Sequence, residues 1–122
     1  MEKNQNNITN NQIKIYTPDV DILEYEDKFQ LYAEMPGVNK ETLEINVEND
    51  EMIISGDYKL PYEENAKILY REIYPLKYHR KFKLQNYVDT EKIEAVIKDG
   101  ILLIDLPKSE LVKPKKIEIK AA

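Results

Sequence analysis

The sequence predicts an all-β protein, an antiparallel sandwich of about seven to eight short strands. Three observations carry this. Apolar and polar residues alternate with period two in several short segments at close spacing. Turn signals separate them: Pro36-Gly37, Asn49-Asp50 and Asp99-Gly100. No stretch keeps a helical period, and no internal repeat occurs. Strands without intervening helices bury their apolar faces by stacking two sheets.

The stretch Glu91–Lys108 shows the logic most fully. Ile93, Ala95 and Ile97 alternate with Glu94, Val96 and Lys98. Asp99-Gly100 supplies the positive φ that a tight hairpin needs. Ile101 to Leu106 is apolar except at Asp105, so both faces of that strand are expected to be buried. Pro107 lacks a ladder donor and ends it.

The other elements follow in order. Residues 1–12 hold five Asn and two Gln, too polar to pack, and 1–17 is expected to be a short disordered arm. Ile13 and Ile15 are a weak signal for a short strand or docking element. Thr17-Pro18 enters the folded domain, expected over 18–108. Val20–Tyr25 is a strand and Glu26-Asp27-Lys28 a polar turn. Phe29, Leu31, Ala33 and Met35 form one face of the next strand. Asn39-Lys40-Glu41 makes a short connection with a turn of helix. Leu43, Ile45 and Val47 alternate with Glu44, Asn46 and Glu48. Glu51–Ser55 is a strand closed by Gly56-Asp57. The segment Tyr58–Ala66 has no period and reads as a long excursion, with a short strand over Ile68–Ile73 at its far end. The chain returns through Tyr74-Pro75 into Tyr78, Arg80, Phe82 and Leu84. Residues 109–122 form a Lys- and Pro-rich extension ending in Ile117-Glu118-Ile119.

Composition limits the function. At 122 residues the chain supports one core. It has no Cys, so neither a disulfide framework nor a thiolate metal site is possible, which fits a reducing, cytoplasmic setting. The N-terminus lacks the apolar segment of a signal peptide, and no run approaches a membrane span. A formal charge of −5 disfavours nucleic-acid binding, and the tail lysines 113, 115, 116 and 120 lack interleaved aromatics. No cofactor or metal is expected. His79, the single histidine, faces away from the apolar side without a second ligand or catalytic partner. Ser55 and Ser109 lie in no nucleophile motif. The nine tyrosines read as core packing and interface rim. The chain is not expected to be an enzyme.

An ordered set of motifs then emerges: Pro36-Gly37-Val38, TLEINVEND-EMIISG over 42–56, YHRKF over 78–82, Val88-Asp89, DGILLIDLPK over 99–108 and KPKKIEI over 113–119. Together they resemble the α-crystallin domain and C-terminal extension of the small heat-shock proteins over residues 18–119. The resemblance implies an immunoglobulin-like sandwich and an ATP-independent holdase that keeps partly unfolded client proteins from aggregating. In bacterial, archaeal and plant members a strand on the excursion pairs with the partner's sheet, which implies a homodimer interface at Ile68, Tyr70 and Glu72. The Ile-x-Ile motif of one subunit docks between two edge strands of another. This implies a groove lined by Leu43, Ile45 and Val47 on one side and Ile93, Ala95 and Ile97 on the other. Family members carry a longer, Phe-rich arm, whereas the arm here is Asn-rich and Phe-free, so holdase potency is expected to be modest.

Two site readings come from the residues themselves. Ile117 and Ile119, two apart in an extended tail, point to one side. They either dock together or extend a strand of their own domain, and their burial would be worth roughly 1.5–3 kcal/mol each. Arg80 is in phase with Tyr78, Phe82 and Leu84, and a guanidinium there needs a partner. It either snorkels to the sheet edge or pairs across the dimer, with Glu72 the candidate carboxylate. A CS-type co-chaperone or adaptor sandwich without holdase activity is the alternative function. A hydrolase ranks third.

Overall fold

The computed structural model describes residues 13–58, 60, 62 and 65–122. In chain order its strands are β1 (Lys14–Tyr16), β2 (Val20–Glu24), β3 (Lys28–Glu34), β4 (Leu43–Glu48), β5 (Glu51–Asp57), β6 (Leu76–Lys83), β7 (Glu94–Lys98) and β8 (Ile101–Pro107). They form two four-stranded sheets, ordered β1-β6-β5-β4 and β2-β3-β8-β7. The inner faces supply the core. Leu31 and Ala33 of β3, Met52 and Ile54 of β5, and Leu102, Ile104 and Leu106 of β8 are buried, with Met35 just beyond β3. Each set sits at alternate positions, so the period-two pattern of the sequence is the pattern of burial.

Two tight hairpins fix the register. β7 and β8 join through Asp99 (φ 52°) and Gly100 (φ 78°), and β4 and β5 through Asn49 (φ 54°) and Asp50 (φ 60°). Positive φ at both central residues is the type I′ pattern, whose twist suits adjoining strands. Gly100 is constrained further. A Cβ there would lie 3.0 Å from the Pro36 Cα, and its carbonyl accepts the Met35 N–H at 2.7 Å. Gly100→Ala is therefore expected to cost about 1–2 kcal/mol or more, read as a lower urea midpoint at unchanged slope.

Three-ten turns precede β4 and β7. Asn39 caps the first, its side chain accepting the Glu41 and Thr42 N–H groups, and Asp89 caps the second. The second spans Thr90–Lys92, so the hairpin strand begins at Glu94 and Ile93, where the alternation was read to start, closes the turn.

The structure corrects other expectations. Within the arm, Lys14–Tyr16 is a strand, paired in parallel with Leu76–Tyr78, as the weak signal at Ile13 and Ile15 allowed. Residues 1–12 lie outside the described residues. β5 does not stop before Gly56. It runs through to Asp57, and a Cβ at Gly56 would lie 2.8 Å from the Met35 Cε and 2.9 Å from the Val38 Cγ1, so a larger residue there would force Val38 to shift. The outer face of β8 is only partly covered: Ile101 is 41% exposed and Leu103 half-buried, since a two-layer fold places nothing outside that sheet. Ile68–Ile73 carries no strand. Ladder hydrogen bonds need a neighbouring edge, and this segment has none within its own chain.

Candidate functional site

β4 is an edge strand of one sheet and β7 an edge strand of the other, each paired on one side only. The expected groove residues divide between roles. Leu43, Ile45, Ile93 and Ile97 are half-buried and pack against the core, whereas Val47 and Ala95 stand exposed. Inner-face residues of an edge strand necessarily do both: one side touches the core and the other faces the open edge.

The tail does not lie on its own domain. Ser109–Val112 forms a turn held by Val112 N–H to the Ser109 carbonyl (3.1 Å) and Ser109 N–H to the Tyr87 carbonyl (2.9 Å). Beyond it, residues 114–122 are exposed and form no strand. Ile117 is 82% and Ile119 91% exposed. The tail thus extends no strand of its own domain.

The excursion is the second exposed apolar segment. Ile68 and Ile73 are exposed, Leu69 is 86% and Tyr70 80% exposed. The Tyr70 hydroxyl donates to Glu72 Oε2 (3.1 Å), and Arg71 Nη2 donates to the Tyr62 hydroxyl (3.1 Å). A hollow of about 860 Å³ separates this segment from the sandwich rim, bounded by Thr42, Tyr58, Tyr62, Ile68 and Arg71. Its packing against its own chain is loose.

Arg80 lies on the inner side of β6, opposite Ile54. Its Nη1 donates to the Pro18 carbonyl at 2.9 Å, and the guanidinium sits 5.0 Å from the Phe82 ring centroid. Within one chain Arg80 and Glu72 are not brought together. The sequence gives no sign of the carbonyl partner, because every residue has one. Tyr78, also inward, donates its hydroxyl to the Pro36 carbonyl (2.9 Å). Burial raises its pKa above the ordinary phenol value, and Tyr58 and Tyr16 nearby add to the shift, so it remains a donor at neutral pH.

Sequence reading missed Lys108, which is buried. Its ammonium meets Glu24 Oε2 at 2.8 Å and sits 5.2 Å from the Phe29 ring centroid, tying the end of β8 to β2. Its position immediately after the Pro107 stop is the only signal the sequence offered. His79 pairs with Ser55 on the outer side of its sheet. Among the described residues no cluster of three His, Cys, Asp or Glu could hold a metal ion, and no helix is long and apolar enough to cross a membrane.

A β-sandwich with two exposed apolar segments and open sheet edges defines a protein-binding module. Comparison with known proteins agrees. The model of the Hsp20/alpha crystallin family matches residues 21–120. The chain is 34% identical over 110 residues to a probable 15 kDa heat shock protein of Leptospira interrogans, covering 90% of this chain and 83% of the relative. It is 37% identical over 107 residues to a 17.3 kDa class II heat shock protein of Solanum peruvianum, covering 84% and 69%. The fold is similar to that of a small heat-shock protein from Xylella fastidiosa, with a TM-score of 0.64, 28% identity and coverage of 87% and 98%. The chain belongs to the Hsp20/alpha crystallin family. These are small heat-shock chaperones and not enzymes, and the family forms oligomers and binds client proteins.

Proposed function

We propose that this chain is an ATP-independent holdase, built as a strand-exchanged dimer that assembles further through its C-terminal tail. The observation that carries the reading is the exposure, on one chain, of two apolar segments that join no strand of that chain, Ile68–Ile73 and Ile117–Ile119, together with sheet edges paired on one side only. Exposed apolar surface of this extent marks an interaction site. The excursion supplies Ile68, Tyr70 and Glu72 to a partner's sheet. β2 is the receiving edge, since it is paired only with β3 and leaves Ile22 and Leu23 exposed. Arg80 lies just behind that edge, on the Pro18 carbonyl that leads into β2. The tail isoleucines enter the groove between Leu43–Val47 and Ile93–Ile97 of another copy. The domain is taken as 18–108, with β1 of the preceding arm added to the edge of one sheet and 109–122 as the docking extension, and a cytoplasmic setting suits a chain without cysteine.

No glycine-rich phosphate loop occurs in the sequence, whose three glycines stand apart at 37, 56 and 100. Client protection is accordingly expected without nucleotide. The test is light scattering of several heat-labile clients with and without ATP. Scattering should fall as the chaperone-to-client ratio rises and should not respond to ATP. An equimolar mixture that scatters like client alone, for every client tried, would remove the holdase reading.

A further inference from the structure

The outer face of β4 carries Glu44, Asn46 and Glu48, all exposed, at alternate positions. The tail carries Lys116, Glu118 and Lys120, also exposed and also at alternate positions. Among the described residues none of Glu44, Glu48, Lys116, Glu118 and Lys120 forms an ion pair. The ion pairs formed are Lys28–Asp105, Lys92–Asp89, Lys108–Glu24 and Lys113–Glu110. Asn46 Nδ2 donates to Glu44 Oε1 at 3.2 Å, within the row.

We propose that these two charge rows form a register code: the tail of a second copy adds to the free edge of β4 as a strand, with Lys116 and Lys120 opposite Glu44 and Glu48 and Glu118 opposite Asn46. This rests on the tail-docking reading above and specifies what that reading leaves open, which alignment is accepted and why. A strand added to a sheet edge shares its neighbour's alternation, so side chains on one face line up across the strands. If Ile117 and Ile119 face inward beside the Leu43, Ile45 and Val47 row, then Lys116, Glu118 and Lys120 face outward beside Glu44, Asn46 and Glu48. The tail then reads plus, minus, plus against minus, neutral, minus. The match holds for either strand direction, because both rows are symmetric about their centres.

Other registers are penalised. A slip of two residues sets Glu118 opposite Glu44 or Glu48, a like-charge pair. A slip of one residue turns both isoleucines outward. Apolar packing alone excludes the second error but not the first, because the β4 inner row offers three similar sites. The charges distinguish them. The occupant is a second copy's tail because each chain's own residues 114–122 stand clear of its own domain.

The test is a charge swap in the full chain, with assembly mass followed by light scattering over a concentration series. Reversing both tail charges (Lys116→Glu, Lys120→Glu) replaces two attractive cross-strand pairs by repulsive ones, and association beyond the dimer should weaken about tenfold to a hundredfold. Reversing Glu44 and Glu48 to Lys should weaken it similarly. Combining all four changes should restore association to near the wild-type level. Added salt should weaken the wild-type assembly, since these pairs are exposed. All variants lie on exposed positions, and an unchanged circular-dichroism spectrum confirms that the domain is folded. If the reversals leave the mass unaltered while Ile117→Ala with Ile119→Ala dissociates the assembly, the groove stands and the register code is wrong. Reversals that weaken assembly without rescue in the combined variant also overturn the code. If the isoleucine variant too leaves the mass unaltered, or the wild type does not associate beyond the dimer, tail docking fails and the code with it.

Discussion

Replacing Ile117 and Ile119 together by Ala is expected to reduce assemblies of this protein to dimers without disturbing the domain. Both side chains stand almost wholly in water on their own chain, so the substitution removes no intrachain packing. In a docked tail it removes three carbon groups from each residue. At about 0.8 kcal/mol per buried CH₂ the loss is roughly 2–5 kcal/mol per tail, depending on how completely each pocket closes. That corresponds to a dissociation constant raised from about thirtyfold to several thousandfold. Sedimentation or light scattering across a concentration series reads the change directly. Circular dichroism and the cooperativity of melting should match those of the wild type. A variant that loses its fold would show that the two isoleucines are core residues and that the docking proposal is wrong.

The fold was legible in the sequence where local and global preferences coincide. β5 and β8 bury one face completely and β3 does so from Leu31 onward, so their buried and uncovered residues alternate as the sequence does. Asp99-Gly100 announced its turn because few residues tolerate positive φ. Gly56 misled for the same reason in reverse. A glycine after a strand suggests a stop, but this one lies inside β5 to make room for Met35 and Val38, and those contacts come from distant sequence. β1 was scarcely legible, since three residues offer too little alternation and Ile15 remains exposed.

The candidate site was less legible than the fold. Leu43, Ile45, Ile93 and Ile97 alternate as core residues do and also pack on the core, so pattern alone cannot assign them to a groove. Only their location on, or in Ile93's case just before, edge strands of opposite sheets opens that role, and edge position depends on topology. The short strand expected over Ile68–Ile73 is one that a single chain does not form. The sequence records the preference of the segment but not the chain that supplies its neighbour. For Arg80 the need for a partner could be read from its apolar phase, whereas the partner itself, a backbone carbonyl 62 positions away, left no trace.

Deletion of residues 60–72 is expected to convert the dimer into a folded monomer, the largest change proposed for this chain. The two ends of the excursion are close together. Asp57 pairs with Lys77, and the Tyr58 N–H donates to the Leu76 carbonyl at 3.0 Å. Joining Lys59 to Ile73 leaves Lys59, Ile73, Tyr74 and Pro75 between those paired residues, a loop of a length common in hairpins. The sandwich loses little, because none of the described residues within 60–72 belongs to its core cluster. The dimer loses much. Ile68, Leu69 and Tyr70 each contribute at most about 1.5–3 kcal/mol on full burial, and a two-fold exchange counts them twice. The backbone pairing of each excursion with the partner's β2 goes with them. The mass of the deletion variant, measured by light scattering, should be that of one chain at concentrations where the wild type is dimeric. Its circular dichroism should remain that of a β-sandwich. A deletion variant that keeps the mass of two chains would place the dimer interface elsewhere, with the free edges of β1 and β7 the next surfaces to test.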